Sequence, residues 1–255
     1  MMPRTILVST FWLLLGLPVA MEAQHKALQG VKLLLLSGGQ RDHHAYRRQT
    51  YLLQKLLEDT KQFQVTICED AAILETPSVR QYDAIVAMAD RRDPEFRLSE
   101  AQQRALLQLV HDGKGFFSFH GFCCADKSWV PEMRTLLGGV LSHAGIPDTK
   151  VRPGHYPVKI LERESPVTRE MADFEHDDEL YYYLQTEGDL HPLAVAVYEG
   201  KEWPILWTRR YGSGKVCVSV FGHCGIKADS TDPLEHAPFR SLVLRSIAWT
   251  AGREL

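Results

Sequence analysis

At 255 residues, with 45% hydrophobic and 24% charged side chains, the chain has the composition of one large α/β domain or two small ones. Its formal net charge is −3 and its lysines and arginines form no stripe, which argues against nucleic acid as a partner. Five cysteines are too sparse, and odd in number, for a disulfide scaffold.

Residues 1–23 read as a secretory signal peptide: Arg4 near the start, an apolar run from Ile6 to Ala20, and small residues toward Ala23. The run is short for a membrane span and Pro18 interrupts it. The expectation is a mature domain over residues 24–255, exported to a periplasm or the exterior, without a stable membrane span.

Val31–Ser37 reads as the first strand, followed by the loop Gly38-Gly39-Gln40-Arg41-Asp42-His43-His44. The G-x-G-x-x-G spacing of a phosphate loop is missing, so the glycines are read as turn residues. Leu52, Leu53, Leu56 and Leu57 mark one face of a helix. Phe63–Cys68 and Tyr82–Met88 read as strands, and Arg91 to Glu95 as a solvated loop. Ser99 and Gln102 form a capping box for a helix that stops at Gly113. The apolar run Phe116–Phe119 then reads as a strand buried on both faces, closed by His120, with Gly121 allowing a sharp turn. This order predicts a mostly parallel, doubly wound α/β sheet with helices on both faces.

Trp129–Leu137 reads as a helix stopped by Gly138-Gly139, and Val140–Pro153 as a loop carrying His143. A strand begins at His155, and Ser165-Pro166-Val167 makes a turn. The acids Glu175, Asp177, Asp178 and Glu179 precede three tyrosines; they read either as a charged surface loop or as the rim of a polar-ligand pocket. Leu193–Val197, Pro204–Thr208 and Lys215–Val220 read as strands, with a hairpin turn at Tyr211-Gly212-Ser213-Gly214 giving a C-terminal antiparallel hairpin. Phe221-Gly222-His223-Cys224 ends the last strand, and Ala237–Thr250 is the closing helix. Cys68 and Cys217 fall in strands. Cys123, Cys124 and Cys224 fall in strand-end loops, where a bridge between Cys224 and one of the pair suits an oxidising compartment.

His43 or His44, His120 and His223 thus end or follow three strands, and in a parallel sheet such ends converge on one crevice. Three imidazoles (His43, His120 and His223) with a carboxylate from Asp178 or Glu179 suit a divalent metal: zinc, manganese or iron. Without a metal, His120 and His223 offer general acid/base chemistry oriented by Asp178 or Glu179. His44, His155, Tyr181, Trp207 and Arg209 are candidates for substrate contacts, the aromatics by stacking on a sugar face and Arg209 through its fork of donors.

Several segments together resemble the ThuA-like family, named for trehalose utilisation: Gly113-Lys114-Gly115-Phe116-Phe117-Ser118-Phe119-His120-Gly121, Leu136-Leu137-Gly138-Gly139, Asp178-Glu179-Leu180-Tyr181, Pro204-Ile205-Leu206-Trp207-Thr208-Arg209 and Phe221-Gly222-His223. The resemblance spans about residues 31–252. It implies a class I glutamine amidotransferase-like fold and a role with trehalose and related disaccharides or glycosides, including their 3-keto derivatives. Ser165-Pro166-Val167 stands where the family commonly has His-Pro-Ile, which leaves His155 or His143 as substitutes. The amidotransferase cousins place a nucleophilic cysteine at the strand-end elbow. His120 stands there in this chain, which argues against classical glutaminase chemistry. The expectation is a sugar-processing hydrolase, lyase or isomerase. The alternatives are a non-catalytic carbohydrate-binding protein on a degenerate amidotransferase-like scaffold and a cysteine hydrolase using Cys123 or Cys124.

Overall fold

The computed structural model describes residues 30–90, 94–142, 150–227 and 230–255. The expected signal peptide, Arg91 to Asp93 and His143 lie outside the described residues. Among the described residues twelve strands and four α-helices follow in order: β1 (Val31–Leu36), α1 (Tyr46–Asp59), β2 (Phe63–Cys68), β3 (Ala84–Ala87), α2 (Glu100–His111) and β4 (Gly115–Phe119). A 3-10 turn (His120–Cys123) leads to β5 (Cys124–Ala125), α3 (Pro131–Leu137), β6 (Gly139–Ser142), β7 (Lys150–Ile160) and β8 (Phe174–Tyr182). The chain ends with β9 (Gln185–Thr186), β10 (Pro192–Tyr198), β11 (Lys201–Tyr211), β12 (Gly214–Ser219) and α4 (Ala237–Thr250).

Nine strands form one sheet in the order β2-β1-β3-β4-β12-β11-β10-β7-β8, and β5, β6 and β9 form a small second one. The sheet is mixed, which corrects the mostly parallel expectation. β2, β1, β3, β4 and β12 pair in parallel. Every pairing from β12 to β8 is antiparallel. The reason is connection length: parallel neighbours need a crossover, whereas two-residue turns join only antiparallel strands. Glu199 and Gly200 both take positive φ (50° and 71°) between β10 and β11, as the tightest hairpin turns require. Gly212 and Ser213 close the next hairpin.

β1 and β4 are apolar because both faces are covered; all of β4 is buried, as is nearly all of β1. α2 opens with the expected capping box, in which Ser99 Oγ accepts from Gln102 N and the Gln102 side chain accepts from Ser99 N. α4 buries Phe239, Leu242, Val243 and Ile247. Two segments expected as loops are strands. Val140–Ser142 lies in β6, and Lys150–Pro153 opens β7. The acidic run is β8: His176, Asp178 and Leu180 are buried while Glu175 and Asp177 are exposed, the alternation of a strand with one covered face. No helix among the described residues is long and apolar enough to cross a membrane.

Candidate functional site

Three loops at strand ends bring the site together. β4 ends in a sharp turn whose left-handed residue is His120 itself (φ 43°), not the glycine behind it. Such a conformation is costly for a side-chain-bearing residue and persists where its surroundings enforce it. Gly121 instead makes room for a neighbouring strand end, since a Cβ there would lie 3.0 Å from the Asp90 Cβ. After β12, Gly222 turns the chain at φ 132°, and a Cβ would stand 2.5 Å from the Phe119 ring. Only glycine allows His223 to turn in over the end of β4. After β1, His44 N donates to Gln40 O and Ala45 N donates to Cys224 O, which ties the first loop to the last.

The imidazoles of His44, His120 and His223 converge, with one nitrogen from each within 4.8 Å of the others. His120 Nδ1 lies 2.7 Å from Val220 O. A carbonyl only accepts, so Nδ1 carries a proton, and in the neutral ring the Nε2 lone pair faces the cluster. His223 Nδ1 lies 3.2 Å from that Nε2. Tyr181, fully buried, places its hydroxyl 2.8 Å from the same atom. Glu179 Oε2 stands 3.6 Å from His120 Nε2 and 3.5 Å from His223 Nδ1. Both ring nitrogens of His44 are shielded from solvent and have no hydrogen-bond partner.

The electrostatics follow from burial and these neighbours. Burial, then the His120 and His223 rings, push His44 down to about 3, so it is neutral. Burial opposes charge on His120 most strongly. The hydrogen bond to Glu179 and the carboxylates of Asp178 and Glu179 outweigh it, and His120 is raised. Glu179 behaves reciprocally: burial disfavours its charge, yet His120 and the other rings hold it down at about 2. His223 is lowered by burial and by His120.

Asp178, expected as an acid/base or ligand, is engaged by backbone N–H groups. Its Oδ1 accepts from His223 N at 3.0 Å and Glu179 N at 2.7 Å, and its Oδ2 accepts from Gly222 N at 2.8 Å. His176 Nε2 approaches Oδ2 at 3.2 Å, and His176 Nδ1 in turn lies 3.0 Å from His236 Nδ1. Asp178 is therefore the clamp that fixes the Gly222–His223 backbone. This clamp also shows that the antiparallel half curls back over the strand ends, since β8 is the edge strand of the sheet.

Glu179 and His223 open into a cleft of about 970 Å³, which His43, His155, His176 and His236 also line. The remaining sequence candidates divide. His43 is exposed and bonded to Asp42 at 2.9 Å, so His44 takes the place in the cluster expected of His43. His155 stands at the cleft rim between Asp177 (2.8 Å) and Glu175 (3.3 Å). Trp207 and Arg209 are not brought to the cleft. The Trp207 indole is buried and donates to Leu137 O at 2.8 Å, and the Arg209 guanidinium packs over Gly138, filling the corner between α3 and β6. Cys123 and Cys124 are wholly buried and do not line the cleft. Cys224 bonds Arg48 (3.1 Å) and Asp232 (3.4 Å); all five cysteines are free thiols. His176, His236 and the Val220 carbonyl escaped sequence reasoning. The first had a visible signal, an alternate-position partner of Asp178 on β8; the other two depend on tertiary folding.

No curated protein matches the chain in sequence. Among solved structures, it is similar to a ThuA-like protein of Parabacteroides merdae (TM-score 0.72, 20% identity, covering 88% of this chain and 91% of that one). It is similar also to a ThuA-like protein of Bacteroides uniformis (TM-score 0.64, 19% identity, covering 88% and 92%). A β-galactosidase from Rahnella sp. R3 shares the fold over 85% of this chain but only 31% of its own (TM-score 0.57, 12% identity). The family model described as ThuA, trehalose utilisation, matches residues 32–250, and the chain with its converging strand-end histidines belongs to that family.

Proposed function

We propose that the protein is an exported carbohydrate-processing enzyme, acting on disaccharides, glycosides or their 3-keto derivatives at a divalent metal centre. The family supports the carbohydrate role, and the apolar run at residues 6–20 supports export. The observation that carries the metal is His44, two shielded ring nitrogens without a partner beside two further imidazoles. Buried polar atoms are almost always satisfied, and an ion would give one of the two open nitrogens its partner.

The donor set fits. A tetrahedral ion with bonds of about 2.05 Å separates its ligand atoms by about 3.3 Å. His120 to His223 is 3.2 Å, Glu179 stands 3.5 and 3.6 Å from the two, and a His44 nitrogen lies within 4.8 Å of both imidazoles. His120 also has the second partner typical of a metal-bound imidazole, its Nδ1–H on a backbone carbonyl. His44, His120 and His223 would hold the ion, with Glu179 as fourth ligand or as base. Nitrogen and carboxylate together favour zinc, manganese or iron over calcium or magnesium. Bound there, such an ion polarises a sugar carbonyl or lowers the pKa of water. Glu179, ionised and facing the cleft, is placed to accept a proton, and an ion taking the His120 Nε2 lone pair would displace the Tyr181 hydroxyl, which lies 2.8 Å from that nitrogen.

Metal analysis of the purified protein, zinc titration, and turnover of a 3-keto-glycoside with and without chelator test this. His44→Ala should weaken zinc by more than about a hundredfold, because loss of a mere supporting partner already costs about 10–100-fold. His43→Ala should leave affinity unchanged. Protein that binds no divalent ion and turns over fully in chelator would reduce the site to a His120–Glu179 acid/base pair.

A further inference from the structure

Building on the carbohydrate reading, we infer that the cleft selects uncharged sugars and rejects phosphorylated or carboxylated ones. Six carboxylates line it: Asp42, Glu175, Asp177, Glu179, Asp232 and Glu235. Against them stands one ammonium among the described lining residues, that of Lys227. A divalent ion held beside Glu179 would offset two of the six and Lys227 a third, which still leaves three negative charges on the lining. No arginine lines the cleft, so the planar fork that grips phosphate and carboxylate groups is missing from the described lining.

The carboxylates have histidine partners. Asp42 holds His43, while Glu175 and Asp177 both hold His155. Imidazoles and carboxylates side by side present acceptors and switchable donors, which is what sugar hydroxyls require. An anionic group entering the same space meets like charge on several walls, and a cleft focuses that field. Like-charge juxtaposition is a means of rejecting wrong partners rather than of binding right ones. The volume of about 970 Å³ accommodates a disaccharide.

Calorimetric binding of trehalose and trehalose 6-phosphate at low and high salt tests this. The neutral sugar should bind at least about tenfold more tightly than its phosphate at low salt, and the gap should narrow as salt screens the walls. Phosphate binding that equals or exceeds neutral binding overturns the inference. A second measurement needs no sugar at all. His155 and His236 are alkylated with anionic iodoacetate or neutral iodoacetamide, and His111, exposed on α2, serves as internal reference. The iodoacetate-to-iodoacetamide rate ratio should be at least about threefold lower at the cleft histidines, and the deficit should fade in high salt. Equal ratios overturn the charge selection. If neither sugar binds while the alkylation ratio is depressed, the acidic selection stands and the carbohydrate reading falls. The triple variant Glu175→Gln, Asp177→Asn, Glu235→Gln changes exposed residues only and should erase the discrimination in both assays.

Discussion

Asp178 shows how one buried carboxylate can matter without touching substrate. Its two oxygens take three backbone N–H groups, those of Gly222, His223 and Glu179, so it fixes two proposed ligands at once. Asn in its place keeps one oxygen but turns an NH2 toward at least one donor. Leaving buried donors unsatisfied costs about 1–3 kcal/mol. Asp178→Asn should therefore lower the unfolding free energy in urea by about that amount. Because His223 would lose its fixed approach, zinc affinity should also drop about 10–100-fold. Protein with unchanged stability and unchanged zinc affinity would show that the clamp is dispensable. The strained His120 belongs to the same logic: its left-handed backbone is tolerated because Val220, Tyr181 and Glu179 together determine where the ring points.

At the scale of elements, the site depends on strands that end abruptly and on helices that deliver them. α2 is set by its capping box, which lies at the end of the helix remote from the turn into β4. Ser99→Ala removes an exposed cap and should cost about 1 kcal/mol, seen as a fall of about 2–4 °C in Tm. Zinc affinity should stay as it was; a matching loss of metal would mean that the helix end is coupled to the site. The capping box, the buried run of β4 and the closing helix were all legible in the sequence, since each follows from a local rule. β8 was not, because its inward alternation is carried by His176 and Asp178 rather than by apolar residues. Only the second half of β7, from His155, was legible; its first half was hidden by Pro153 and Gly154 and by its exposure, features that an edge-region strand tolerates and a central one does not. The choice between His43 and His44 was also closed to sequence. Neighbouring loop residues point apart, and which one turns inward is decided by Ala45 bonding to the distant Cys224 carbonyl. Trp207 and Arg209 lie in a packed corner for a reason sequence does not separate: aromatic and guanidinium groups suit a sugar site as well as they suit such a corner.

For the whole molecule, gathering imidazoles and a carboxylate at one buried point makes stability depend on pH. In metal-free protein His44 titrates at about 3 when folded, against an ordinary value of 6.5. Between those values the unfolded chain binds a proton that the folded chain refuses, so stability is full above 6.5 and falls as pH drops toward 3. Glu179 acts in the same direction but in a lower window, from its ordinary 4.5 down to about 2. His120, raised, works the other way: its contribution is full below its ordinary value and is lost as pH rises through its folded value. The window from 6.5 to about 5.5 therefore isolates the histidines, since Glu179 has barely begun to protonate in either state. Urea unfolding in chelator across that window should show wild-type stability falling relative to His44→Gln, by up to about 1.4 kcal/mol per pH unit for the one proton refused. Parallel curves for the two proteins would mean that the His44 ring is open to protons in the folded state. The reason to withhold a partner from this ring at all would then be lost, because an imidazole that protonates freely is already satisfied by water and has no need of an ion.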